Sequence, residues 1–192
     1  MEKTTHYNMI LNPMYLLSVF YGIFYIAFLF APTISFVANG VSGVASGWDI
    51  ISVCFSGSSL GGYSIVGGAG AVLIILGLLL FLGTIFSFVS LILGILGLAK
   101  KFNTEKYINA LILTNLIIFV AATTLIIVLS NLIINQNVGL SSYAFTSLFV
   151  GYGQIAFNIL PILYVVVHST IVREIAFSKT MSEKQTTQNN AK

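Results

Sequence analysis

Residues 71–99, AVLIILGLLLFLGTIFSFVSLILGILGLA, form an apolar run without a single charge. A hydrocarbon core ~30 Å thick is crossed by ~20 apolar residues in a helix rising ~1.5 Å per residue. The run exceeds that length, so it is read as a span with room to tilt. Within it Gly83, Ser87, Ser90, Gly94 and Gly97 recur at alternating steps of four and three, which keeps them on one helix face. A helix that is apolar all round, with one face reduced to small residues, packs closely against other helices in lipid. These five residues are the expected helix-packing set.

Composition agrees. Of 192 residues, 57% are hydrophobic and 7% charged, against ~25% charged in an average soluble domain. That leaves one compact membrane domain, residues 1–177, and a polar tail, 178–192, expected to be disordered. The single cysteine, Cys54, admits no internal disulfide. A net charge of +3 does not read as nucleic-acid binding, because the basic residues sit beside the apolar runs, where they set topology. The first apolar run follows a polar stretch and is longer than a signal-peptide core, so it reads as a retained span.

Four spans are expected, at about 14–31, 71–99, 107–134 and 143–172, giving an all-α four-helix transmembrane bundle. Pro13 opens the first span and Pro32 closes it. The aromatic rows Phe20, Phe24, Phe28 and Tyr21, Tyr25 recur there at one-turn spacing, as in helix packing or lipid contact. All eight Lys and Arg residues fall on one side of such a layout: Lys3, Lys100, Lys101, Lys106, Arg173, Lys179, Lys184 and Lys192. The positive-inside rule then places both termini and the 100–106 link in the cytoplasm, and the plasma membrane is the expected location. The loop 33–70 and the short turn 135–142 face outward.

The outer loop alternates polar and apolar residues at 34–36, 51–56 and 63–65, with glycines between. Such alternation predicts a small antiparallel β-sheet; an interfacial or re-entrant segment is the competing reading. Residues 67–70, Gly-Gly-Ala-Gly, read as a flexible lead into the second span. Trp48 and Asp49, the chain's one tryptophan and the loop's one charge, are the candidate outer-loop contacts, Trp48 also suiting an interfacial anchor.

No Asp, Glu, Lys or Arg lies inside the four expected spans, whereas proton-coupled transport and intramembrane acid–base chemistry need ionisable groups at depth. No metal-ligand cluster or catalytic motif is present. No catalytic residue, metal or cofactor is therefore expected, and the chain is read as non-enzymatic. The polarity that remains is neutral. Ser147, Gly151, Gln154, Asn158 and Pro161 share one face of the fourth expected span, joining Ser147 and Gly151 to the helix-packing set. The amides of Gln154 and Asn158 want partners inside the bundle, and the third span offers Asn115, Thr123, Thr124, Ser130 and Asn131. His168 lies near the cytoplasmic end.

Four spans, a long strand-like first outer loop and a short second one resemble the claudin-like tetraspan layout. That family's first loop carries a Trp-Gly-Leu-Trp pattern and a cysteine pair; here Trp48 and Cys54 are the matching residues and the pair is incomplete. The resemblance implies architecture, and a barrier function does not carry over. The expected function is an assembly, accessory or immunity-type subunit. It would bind lipid and another membrane protein, or its own copies, through small-residue helix faces or the outer loop. The alternative is a small channel or transporter subunit with a neutral polar pathway along the fourth span.

Overall fold

The computed structural model describes residues 2–57, 59–60, 63–65, 67–99, 104–136 and 145–190. Four long helices form a bundle: α1 (Glu2–Leu29), α3 (Gly67–Leu98), α4 (Glu105–Gln136) and α5 (Tyr152–Asn190). A cap covers one end. It comprises β1 (Pro32–Ala38), β2 (Val41–Ser46), the short helix α2 (Gly47–Ser56), β3 (Ser59–Leu60), β4 (Tyr63–Ser64) and β5 (Phe145–Val150). Three helical stretches are long and apolar enough to cross a membrane: Gly67–Leu98, Glu105–Ile133 and Tyr152–Ile171. This fits a multi-pass membrane protein. The apolar part of α1, Pro13–Leu29, is a shorter helix, roughly 24 Å long at ~1.5 Å per residue.

The cap is built around β1. Strand order is β2-β1-β5, antiparallel throughout. Ser35 lies opposite Val44 on one side and Phe149 on the other, and Ile34 opposite Ala45 and Val150. Side chains alternate across a strand, so Ile34, Phe36 and Ala38 turn inward with Ala45 and Leu148. They join Ile50, Ile51 and Leu60 of the cap to Leu73, Leu76, Leu129 and Ile133 at the bundle's end in one core. Gly43 faces the Phe36 ring closely enough that a Cβ would stand 2.6 Å from it, which is why β2 can cross a bulky neighbour there. The hairpin between β1 and β2 turns at Asn39 and Gly40, both at positive φ, the backbone region that Asn and Gly tolerate best.

Several expectations are corrected. Residues 51–56 are helical, not a strand. Ser46 caps α2: its hydroxyl accepts from the Asp49 amide at 3.2 Å while its own amide donates to the Asp49 carboxylate at 2.8 Å. This reciprocal capping box stabilises a helix start. The fourth apolar run does not begin as a helix: 145–150 form β5, and α5 starts only at Tyr152. Ser147 is thus a strand residue paired with Val37, and Gly151 lies between strand and helix rather than on a helix face. The strand wins because β1 offers a free edge, and pairing satisfies backbone groups on both strands. Pro13 lies inside α1, not at its start. Residues 67–70 are the first turn of α3 rather than a flexible lead. The polar tail continues α5 to Asn190, since 178–190 contain neither Gly nor Pro to stop it. Lys100 and Lys101 of the basic link, and 137–142 of the short outer turn, lie outside the described residues.

Candidate functional site

The small-residue stripe of α3 is filled from within the chain. Gly83, Ser87, Ser90, Gly94 and Gly97 are all buried. A Cβ at Gly83 would stand 2.6 Å from the Phe119 ring, one at Gly94 would meet the Tyr15 carbonyl at 3.1 Å, and one at Gly97 would collide with the Tyr15 ring. Across the same seam the Ser18 hydroxyl donates to the Ser90 carbonyl at 2.9 Å. The stripe lets α1 seat on α3 and admits the Phe119 ring of α4. Gly151 has a comparable role in the cap, because a Cβ there would strike the Pro32 carbonyl, and the Gly151 amide donates to Thr33 O at 2.8 Å.

Three amides organise the bundle's polar interior. Asn115 Nδ2 donates to the Tyr21 hydroxyl at 3.1 Å and to Ser87 Oγ at 2.9 Å, tying α4 to α1 and α3. Gln154 Nε2 donates to Phe119 O at 2.9 Å and to Thr123 Oγ1 at 3.0 Å. Asn158 Nδ2 reaches the same Thr123 hydroxyl at 2.7 Å, and that hydroxyl donates to Phe119 O at 2.9 Å. Thr123 is therefore the node through which α5 grips α4. The amide oxygens Asn115 Oδ1, Gln154 Oε1 and Asn158 Oδ1 are buried and find no donor among the described residues.

Between these two polar groups lies an aromatic plug. Tyr25, Phe119 and Phe157 are fully buried. Their ring centroids are 5.3 Å, 4.9 Å and 5.4 Å apart, so each ring touches the other two. The Tyr25 hydroxyl sits 3.1 Å from Thr84 Oγ1, which satisfies its polar end. At the opposite end of the bundle from the cap, Asn109 links to His168 Nε2 at 2.9 Å, and Tyr164 donates to Asn109 Oδ1 at 3.1 Å. Glu105 stands 3.9 Å from His168, whose ring stacks on Tyr164.

Sequence reading placed Asn115, Gln154 and Asn158 in the interior and offered Thr123 among five third-span partners for the two α5 amides. The structure selects Thr123 as the node of Gln154 and Asn158, and it joins Tyr25, Phe119 and Phe157 in a unit the sequence did not group. The available signal was chemical. In the aromatic rows of α1 the tyrosines Tyr21 and Tyr25 are buried while Phe20 and Phe24 are exposed, because a hydroxyl in a bundle needs a partner. Trp48 is exposed, its ring 6.5 Å from that of Phe30. Asp49 is engaged by Ser46, whose hydroxyl and amide both lie 2.8 Å from its carboxylate.

No protein family matches the chain, and no curated protein or solved structure is significantly similar to it.

Proposed function

We propose that this chain is a non-enzymatic subunit of a membrane-protein complex, acting in assembly or as an accessory or immunity-type component, and that its cap holds the partner. In this reading α1 is a fourth span, both termini are cytoplasmic and the cap projects from the plasma membrane's outer face. The observation that carries it is the outward row of the sheet. Val44, Ser35 and Phe149 lie side by side on three strands, with Val44 and Phe149 each about three-fifths exposed. The two exposed apolar side chains flank the half-buried Ser35 on one sheet face, and exposed apolar groups gathered on one face mark interaction sites. The helix faces expected to serve as the other contact are occupied inside the chain, which leaves the cap. A photocrosslinker placed at Phe149 or at Val44 should capture a membrane protein in cells, while one at lipid-facing Ile117 should not. Capture of lipid alone at all three positions, with a monomeric chain in mild detergent, would sink the reading.

The alternative, a pathway along α5, has in its favour the oxygens of Gln154 and Asn158, which meet no donor among the described residues. Against it stands the aromatic plug, which fills the interior beside them. Flux through reconstituted liposomes that falls in Gln154→Leu would favour it.

A further inference from the structure

Helix α2 turns two sides in opposite directions. Gly47, Ile50, Ile51 and Val53 are buried against the bundle. Trp48, Ser52 and Phe55, spaced by four and three residues, form an exposed stripe in which Phe55 is 77% exposed. Both aromatics of that stripe rest on aromatics at or just beyond the long helices. Trp48 meets Phe30, immediately past the end of α1, at 6.5 Å. Phe55 meets Phe81 of α3 edge-on at 6.0 Å. Phe30 and Phe81 are themselves exposed.

The levels of these contacts coincide. From Phe81 to Leu98, α3 rises roughly 25 Å, and the apolar part of α1 rises roughly 24 Å, at ~1.5 Å per residue. Each length nearly fills a hydrocarbon core of ~30 Å. With the basic link after Leu98 marking one face, a core of ~30 Å ends about 20 residues back along α3, near residue 78, and the remaining apolar turns of α3 pack with the cap. Phe81 and, past the end of α1, Phe30 then stand close to the cap-side boundary. Helix α2 bridges them, with Trp48 and Phe55 about 10 Å apart along its axis. It packs close against α3, where a Cβ on Gly77 would approach the Ile50 carbonyl to 2.6 Å. Asp49, its one charge, is neutralised in part by the capping box and the helix start.

We propose that the Trp48–Ser52–Phe55 face of α2 is a lipid-binding surface. It lies in the headgroup–acyl boundary of the cap-side leaflet, and its partner is bilayer phospholipid rather than protein. Short helices with aromatics on one side bind that boundary by burying apolar area ~5–10 Å deep, and Trp is the residue most at home there. Through Phe30 and Phe81 the stripe joins the exposed apolar side chains of α1 and α3, which is what selects lipid over a soluble partner. This inference rests on α1 and α3 crossing the bilayer and is independent of what the sheet's outward face binds.

Because Trp48 is the only tryptophan, the native chain carries its own probe. The full chain is reconstituted in phosphatidylcholine vesicles, with or without acyl chains brominated near the carbonyl or near the methyl end. Trp48 emission should be blue-shifted, lose its larger part to bromine near the carbonyl end, lose little to bromine near the methyl end, and resist aqueous iodide. The double variant W48F/F55W moves the probe to the other end of the stripe and should behave alike. Water-like emission quenched by iodide, but not by brominated lipid, would overturn the proposal by showing the helix clear of the bilayer. Emission insensitive to both quenchers would overturn it in favour of a second copy covering α2. Quenching by lipid at Trp48 alone would also overturn it, reducing the surface to one anchoring ring. None of these results bears on crosslinking at Phe149, so the two readings fail separately.

Discussion

At Thr123, one of five candidate partners in the third span, a hydroxyl takes two amide donors from α5 and passes one hydrogen bond to Phe119 O. Thr123→Val keeps the shape and leaves the Gln154 and Asn158 amides short of an acceptor. The expected loss is ~1–3 kcal/mol, the usual cost of stranding a buried polar group, read as a lowered melting point in detergent. Thr124→Val is the control. Thr124 is exposed and, among the described residues, bonds its own helix alone, at Val120 O, so the melting point of that variant should stay put; equal losses in both variants would refute the node. Gly77 supplies a second test. A methyl there would stand 2.6 Å from Ile50 O and 2.6 Å from Cys54 Sγ, so Gly77→Ala should push α2 off α3 at ~1–3 kcal/mol. The thiol beside it reports the move. Burial pushes the Cys54 thiol up from its ordinary pKa, so its thiolate fraction is low and maleimide labelling of the native chain should be slow near neutrality, rising only at higher pH. In Gly77→Ala labelling should speed up at neutral pH; an unchanged rate would show that α2 does not rest on Gly77.

At the scale of elements, the split of the fourth apolar run decides the architecture. Residues 145–150 pair as β5 with β1, more than a hundred residues earlier, and only then does the chain enter α5. The pairing predicts a specific crosslink. In a Cys54→Ala background, Ser35→Cys with Phe149→Cys are directly opposite and should oxidise to a disulfide, while Ser35→Cys with Ser147→Cys, displaced two residues along the strand, should not. Efficient bridging of the displaced pair would mean a slipped register; bridging of neither would return 145–150 to a helix. The local pattern could not reveal this, because an apolar run leading straight into a helix carries no mark of a distant strand. For α2 the mark was present. Ser46-Gly47-Trp48-Asp49 is the serine-to-acid spacing of a capping box, and it outweighed the two-residue alternation of 51–56, which a short half-buried helix can imitate.

For the whole molecule, the crossing of α1 is the open geometric consequence, since its apolar part is the shortest of the four. Single cysteines at Lys3, Val41 and Lys106, in the Cys54→Ala background, should separate in intact cells. Val41→Cys should label from outside, whereas Lys3→Cys and Lys106→Cys should label only after permeabilisation. Joint labelling of Lys3→Cys and Val41→Cys from one side would leave three crossings and remove the four-span topology. What the amino-acid order alone settled was the medium. Apolar length, scarcity of charge and small residues at helical spacing are local properties, and they led to multi-pass membrane helices with Gly83, Ser87, Ser90, Gly94 and Gly97 at a close-packed seam. What folding in three dimensions decided was who sits in that seam and which backbone edge meets which. The stripe receives α1 and Phe119 rather than a foreign helix, and β5 leaves its helix to complete the sheet. Both outcomes depend on contacts between residues far apart in the chain, and a spacing pattern shows which surface wants cover without saying what will cover it.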